Sequence, residues 1–479
     1  MKSSIFSPEK SRRILLGFLI IGFCFGCQKD LLQTGDNNES EPSMLKSTKS
    51  NNYMVITKSE SLPSGFESKL AAYGQIVNSI PEIGVVVMTP TPSNFETKIS
   101  KLTEVKAIVP DLVTRWIEPE KFFLAANPPS IGSDEPYFRY LWGLDAINAP
   151  EAWNAGYTGD GATVYILDSG IDAEHPDLAP NLNPSLCASF VPGEDWNIQP
   201  GSYFNHGSHV AGIVAAADNG AGVIGVAPNA QIVAVKVLSE FSGSGALSWV
   251  NAGIVYAANN GADVINMSLG AEFDRNGFYW DEDNVLHKIP AVYLQSIILA
   301  QQRAVTYAFK KGVTVVVSAG NAGQNADGNK SIIILPADLQ NVIAVSATAP
   351  DYWYGSWLAG LPDPDFNDFD IPSSYTNYGR SLISVAAPGG DFDFKPLLGY
   401  NFDMVLSASS QSYYWGAGTS MAAPHVSGVA ALIIAKSVGK MSPLEVTQKL
   451  FKTADKIGTN GVSSYYGMGR VNAFRAVTE

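Results

Sequence analysis

The stretch Tyr165–Asp172 reads YILDSGID: an apolar run that ends on a carboxylate, Asp168, and turns at once through Ser169 and Gly170. A short apolar run bounded by a Ser-Gly turn reads as a buried strand. Moving outward, the same pattern recurs. Strands are expected at Thr163–Leu167, Gln231–Leu238, Asp263–Met267, Thr314–Ser318 and Val342–Ser346. Ala- and Gly-rich stretches near His206–Ala217, Leu247–Asn259, Ala291–Lys311 and Ser420–Ala435 read as helices. Near-continuous apolar strands alternating with helices need cover on both faces, so the fold class is α/β with a mainly parallel sheet between helices. In such a sheet the reactive groups are expected at the carboxyl ends of the strands.

Two further segments share this layout, a polar reactive residue beside glycines at an element boundary. Asn205–Gly212 (NHGSHVAG) has His206 opening a helix, and Gly418–His425 (GTSMAAPH) puts Ser420 at a helix start. Backbone N–H groups are unpaired there and the helix dipole favours negative charge. A serine hydroxyl becomes a useful nucleophile only when a base takes its proton, and imidazole titrates near neutrality. The imidazolium then needs a buried carboxylate, and the tetrahedral oxyanion needs fixed donors. Asn321, in the run Ser318–Asn321 (SAGN), offers a side-chain amide, and the Ser420 N–H offers a second donor. Each segment alone has an ordinary structural explanation; the four together, in this order, point to chemistry. His175, His209, His287 and His425 are read as structural, since none lies where a proton relay is required.

On these residues the chain resembles the subtilisin-like serine proteases (the subtilase family), from about Trp142 to Arg470. The resemblance implies a subtilisin-like three-layer fold, with Asp168 as orienting carboxylate, His206 as general base and acid, Ser420 as nucleophile and Asn321 as oxyanion donor. The order Asp, His, Ser along the chain is the family's. Two backbone edges for an extended peptide or protein substrate are also implied: Ser268, Leu269 and Gly270 in NMSLG, and Gly243, Ser244 and Gly245. Such strand addition gives affinity with little sequence demand. Gly320 and Ile334 fall at the pocket for the side chain before the scissile bond. The family tends to keep a small residue at the second position, so Ile334 implies a shallow pocket for small or medium side chains.

In the loop Ala217–Val223 (ADNGAGV), Asn219 and the more distant Asp177 match the side-chain ligands of a structural calcium ion in the family. The carbonyls of Ala217, Ala221 and Val223 would complete an oxygen cage. The other reading is a Gly/Asn-rich turn without metal. No cofactor is needed for the chemistry itself.

The 479 residues are 46% hydrophobic and 16% charged, ample for sizeable cores and more than one domain. Against 31 Lys and Arg stand 45 Asp and Glu, a net −14 that argues against a nucleic-acid partner. At the N-terminus Lys2, Lys10, Arg12 and Arg13 precede an apolar run, Ile14–Gly26. It falls short of the about 20 residues of a bilayer span and has the layout of a secretory signal. Gly26 before Cys27 resembles the lipobox of bacterial lipoproteins, which implies loss of residues 1–26 and a lipid on Cys27; plain secretion is the alternative. Cys24 would leave with the signal, so Cys187 would be alone and no internal disulfide is expected. Polar residues 27–52 read as a flexible tether. The expected location is the bacterial cell envelope, at a membrane reached through the lipid.

Residues 53–117 follow a β-α-β-β-α-β order that suits a small α+β ferredoxin-like unit. Strands are expected at Tyr53–Lys58 and Val85–Met88, helices at Gly65–Tyr73 and Phe95–Leu102, and an extended tail over Val105–Ile117. The unit resembles the inhibitor-type prosegments of the subtilases, whose tail lies in the active site before being cut; a permanent N-terminal domain is the alternative. Self-processing is then expected within Ile117–Ser133, near Ile117-Glu118, with a linker at 118–135 and the peptidase domain at 136–479. Two acidic, aromatic stretches, Ala271–Val292 and Pro350–Pro372, are longer than the family's. They either select basic or extended substrates or are surface elaborations. Two rival readings remain: a catalytically silent binding lipoprotein on a protease scaffold, and a peptidase with a Ser-Glu-Asp set at acid pH, which His206 disfavours.

Overall fold

A computed structural model of the chain describes residues 51–91, 93–117, 123–124, 135–199, 205–281, 285–350, 369–392, 400–438, 441–458 and 463–479, all within one unit, Lys49–Glu479. The signal segment 1–26, Cys27, nearly all of the tether 27–52, most of the linker 118–135 with Glu118, and most of Pro350–Pro372 lie outside the described residues.

Strands β1 (Tyr53–Thr57), β2 (Gly74–Ile80), β3 (Val85–Pro90) and β4 (Val105–Pro110) form an antiparallel sheet in the order β2-β3-β1-β4, with helices α1 (Phe66–Leu70) and α2 (Phe95–Ile99). The helices are shorter than the sequence suggests: the first finishes as a 3₁₀ turn over Ala71–Tyr73, and the second stops at Ile99. Successive strand residues point to opposite faces, and the two faces have different partners. Val55, Val86, Met88 and Val105 pack with Phe66, Leu70, Phe95 and Ile99 of the unit's own helices. Met54, Ile56, Val85, Val87 and Val109 instead join a core of the larger unit.

That unit is built on an eight-stranded sheet: β5 (Thr163–Asp168), β6 (Ala188–Ser189), β7 (Gln231–Lys236), β8 (Val264–Met267), β9 (Thr314–Ser318), β10 (Ile343–Ala349), β11 (Ile371–Pro372) and β12 (Val385–Pro388). The order is β11-β10-β9-β8-β5-β7-β6, with β12 also on β10, and only β11 runs antiparallel. The central strands β5, β8 and β9 are buried almost throughout, as a sheet covered on both faces demands. Val164 and Ile166 face the core that holds α3 (His206–Ala215) and α6 (Thr419–Lys436). Tyr165 and Leu167 face the core of α4 (Leu247–Asn259) and α5 (Ala291–Lys310). This is the three-layer α/β arrangement expected from the sequence.

Strand β7 ends at Lys236 rather than Leu238, because the N–H groups of Val237 and Leu238 both turn to the Asp168 carbonyl, at 2.9 and 3.2 Å. A second antiparallel sheet, Leu286–Lys288, Phe278–Trp280, Ala271–Asp274 and Ile332–Leu335 in that order, was not foreseen from the sequence. Among the described residues no helix is long and apolar enough to cross a membrane.

Candidate active site

The sequence-derived residues gather at the carboxyl ends of the strands. Asp168 is the last residue of β5, His206 the first of α3, Ser420 the second of α6, and Ser268 and Asn321 follow β8 and β9. His206 Nδ1 lies 2.9 Å from each carboxylate oxygen of Asp168, with the two side chains 2% and 1% exposed. The Ser169 N–H donates to the same carboxylate at 2.7 Å. The helix start can come this close to the strand end because residue 207 is glycine: a Cβ there would sit 2.1 Å from the Gly170 carbonyl oxygen. Asn205 caps α3 by accepting the Ser208 N–H at 2.6 Å.

Helix α6 contains Pro424, four residues after Ser420, so no backbone N–H is available for the Ser420 carbonyl. The Ser268 hydroxyl supplies the bond instead, at 2.7 Å, and the Ser420 hydroxyl donates back to the Ser268 carbonyl at 3.3 Å. Asn321 is held by its amide oxygen, which accepts the N–H and the hydroxyl of Thr419 at 2.9 and 2.7 Å. Its NH₂ is thereby left as the donor beside the Ser420 turn. Gly320 N–H donates to the Thr419 hydroxyl at 3.0 Å. The structure thus brings Asp168 to His206, and Asn321 and Ser268 to the Ser420 turn, while α3 packs directly on α6.

The other histidines have structural settings. Burial pushes the pKa of His209 down to about 3 and that of His425 to about 4. Each ring bonds a backbone carbonyl, that of Tyr414 at 2.9 Å and that of Met421 at 2.8 Å. His175 stands edge-on to Tyr413, and His287 pairs with Asp281 at 2.6 Å.

Both backbone edges are occupied by the chain's own residues. Val113–Arg115 pairs antiparallel with Ser244–Ala246, Arg115 opposite Ser244 and Thr114 opposite Gly245. The Trp116 carbonyl accepts the Gly270 N–H at 2.8 Å, and its indole N–H donates to the Gly245 carbonyl at 2.8 Å. Leu269 is buried in the adjoining core. Gly243 faces Ile117, whose Cβ would be 3.5 Å from a Cβ at 243. At Gly320, where φ is +96°, an added Cβ would meet Asn377 at 2.4 Å and Ile334 Cγ2 at 3.7 Å. Ile334 is 3% exposed and lines a cavity of about 350 Å³ with Arg275, Lys330 and Asp338.

Two anchoring residues escape the sequence reading. The buried carboxylate of Asp111 sits at the start of α4 and accepts the N–H and hydroxyl of Ser248 at 3.1 and 2.6 Å, serving a helix that has no cap of its own. Burial pushes its pKa up to about 6, against the lowering effect of those hydrogen bonds. Arg303 of α5 donates to the carbonyls of Thr57 and Ile83 at 3.1 and 3.3 Å, tying down the N-terminal sheet. A lone acid between the apolar strand β4 and the tail is the only signal the sequence holds for Asp111.

In the loop Ala217–Val223, Asp177 Oδ2 accepts the Val223 N–H at 2.9 Å, while its Oδ1 is buried with no partner among the described residues. Burial raises the Asp177 pKa. Asn219 folds back on the Ala221 N–H at 2.9 Å, and the carbonyls of Ala217, Ala221 and Val223 take no hydrogen bond from described residues. The sequence reading missed Glu135, which accepts the Gly220 N–H at 3.2 Å and whose pKa is raised by burial and by the neighbouring Asp218. No group of three or more His, Cys, Asp or Glu side chains is placed to share a metal among the described residues.

The profile of the subtilase family matches residues 159–469. The thermophilic serine proteinase of Bacillus sp. (strain AK1) is 32% identical over 409 residues, 84% of this chain and 83% of that protein. Thermitase from Thermoactinomyces vulgaris is 36% identical over 347 residues, 72% of this chain and 98% of thermitase. Among solved structures, the epidermin leader peptide processing serine protease from Staphylococcus aureus shares the fold, with a TM-score of 0.70 at 23% identity over 90% of this chain and 100% of that one. Sequence and fold agree: the chain belongs to the subtilase family and is a subtilisin-like serine endopeptidase.

Proposed function

We propose that this endopeptidase works through Ser420, His206 and Asp168, and that it is made as a self-processed proenzyme at the cell envelope. The observation that carries the reading is the buried pair of His206 and Asp168, with the helix that His206 opens packed on the helix that holds Ser420. With Nδ1–H donated to the carboxylate, Nε2 is the basic nitrogen. Nε2 takes the Ser420 proton as Oγ bonds the substrate carbonyl carbon, and the oxyanion takes hydrogen bonds from the Asn321 NH₂ and the Ser420 N–H. The imidazolium returns its proton to the leaving amine nitrogen as the C–N bond breaks, leaving an ester on Ser420. Water, deprotonated by Nε2, then releases the acid and restores the serine.

Residues 53–117 act as an intramolecular inhibitor in this reading. Support comes from Val113–Trp116, which fills both edges an extended substrate would use. Cleavage within Ile117–Ser133 frees the enzyme, Cys27 carries the lipid anchor, and Ile334 keeps the pocket shallow. A calcium ion fits the loop at Ala217–Val223, held by Asp177 and Asn219 with the carbonyls of Ala217, Ala221 and Val223; the orphaned Asp177 Oδ1 supports this. Calcium there supplies no catalytic chemistry and only stiffens the loop.

Sequencing and intact mass of the purified protein test the reading, run beside Ser420→Ala. The wild type is expected to lose residues 53–117, while the variant keeps them and is inactive. Full activity with that segment still attached would overturn the inhibitor role, and an active Ser420→Ala would overturn the triad.

A further inference from the structure

The edge that ends at Gly270 is longer than the resemblance accounts for. Ser244 and Ala246 face Arg115 and Val113 on one side of the tail. Backbone groups of alternate residues in an extended chain turn to opposite sides, so Thr114 and Trp116 turn to the other. Trp116 meets Gly270 there. Thr114, two residues earlier, meets the inserted hairpin: it forms an antiparallel bridge with Asp281, and its hydroxyl donates to the Trp280 carbonyl at 2.8 Å. Thr114 is 3% exposed while Trp280 is half exposed, so this contact is part-buried.

The hairpin is held in place from both ends. Phe278–Trp280 pairs with Leu286–Lys288, and Phe273 pairs with Tyr279 on the strand Ala271–Asp274 that continues directly from Gly270. That strand is pinned in turn by Ile332–Leu335. At the far end the Asp281 carboxylate accepts the Val285 N–H at 2.8 Å and meets His287 Nε2 at 2.6 Å. The His287 ring stacks on Tyr279 with centroids 5.5 Å apart.

We propose that this hairpin is an added length of the substrate-binding edge, selecting extended polypeptides that reach the position of Thr114 and favouring Ser or Thr there. The inference rests on the reading of the tail as occupying the substrate's place. Peptides that reach this position gain the backbone bridge at Asp281 and, with a hydroxyl, the bond to the Trp280 carbonyl. A valine there leaves that carbonyl without the hydroxyl's bond. Asp281 and His287 are positioning residues: they hold the hairpin, and its backbone makes the contacts.

The test compares peptides that carry the tail sequence from Val113 to Ile117 ahead of the cleaved bond with the same peptides cut back to begin at Arg115. Removing the first two residues is expected to lower kcat/KM by ~10-fold, and Thr→Val alone by about 5-fold, mainly through KM, as one to two hydrogen bonds would give. In Asp281→Ala the long-to-short ratio should shrink to about 3-fold or less, by the loss of a similar increment. Equal kcat/KM for long and short peptides would overturn the proposal, as would an unchanged ratio in Asp281→Ala. The Thr→Val comparison uses only the wild-type enzyme and decides the matter even if the variant fails to fold. Cleavage of none of these peptides would instead strike the reading of the tail as a substrate mimic, and this inference with it.

Discussion

On one face of the central sheet, α3 and α6 close over Val164 and Ile166, and α6 is buried along nearly all of its length. On the other, α4 and α5 close over Tyr165 and Leu167, and the same core goes on to take in Met54, Ile56, Val85, Val87 and Val109 of the N-terminal sheet. The first face carries the residues assigned to chemistry, joined by short polar contacts at the strand ends. The second carries a mainly apolar junction with a few polar anchors, Asp111 and Arg303 among them. In the reading proposed above, reaction and restraint sit on opposite sides of one sheet, and the tail's contacts at Gly245 and Gly270 join them.

The sharpest way to break that division is on the reactive face. Asn321→Ala should lower kcat by about 10²–10³, the magnitude that subtilisin itself exemplifies, without loosening the N-terminal sheet. Steady-state kinetics with a peptide ester, beside a melting curve of the precursor, would show whether the two effects separate. On the opposite face the converse is expected. In the inactive Ser420→Ala precursor, Ile56→Ala should destabilise the docked N-terminal unit by about 2–4 kcal/mol, read from denaturant unfolding. The processed enzyme, lacking residue 56, keeps its kcat.

Asp111 makes the junction on the second face sensitive to pH. Its carboxyl titrates near 6 when the tail is docked, against 3.8 ordinarily, so the docked state holds the proton more tightly. Docking is therefore strongest below about pH 4 and weakens as pH rises through 6, by roughly 3 kcal/mol in all. Hydrogen exchange of the Ser420→Ala precursor between pH 4.5 and 7 should show this weakening, and Asp111→Asn should flatten it. The smallest effect belongs to the loop after α3. A chelator should lower the melting temperature of the processed enzyme by about 5 °C, with Asp177→Asn insensitive to it.

Much of this architecture is readable in the sequence because its signals are local. The strands are apolar and bounded by turns, and Asp168, His206, Asn321 and Ser420 each stand beside glycine at an element boundary. What is not readable depends on contacts between distant segments. Thr114 meets Trp280 across 166 positions, and neither residue is unusual in its own surroundings. Asp111 looks like a turn residue until α4 is laid against it. Glu135 joins the loop at Gly220 from 85 positions away. The exchange between Ser268 and Ser420 follows from a missing N–H at Pro424, which can be read only once the helix through it is known.

In the proposed mechanism the His206 imidazole activates the Ser420 hydroxyl. A fluorophosphonate probe, with its adduct mapped by mass spectrometry, tests this most directly. The adduct is expected on Ser420 in the processed enzyme, and should form orders of magnitude more slowly in a folded His206→Ala variant. An adduct on another residue, or labelling of Ser420 at the same rate without the imidazole, would contradict it.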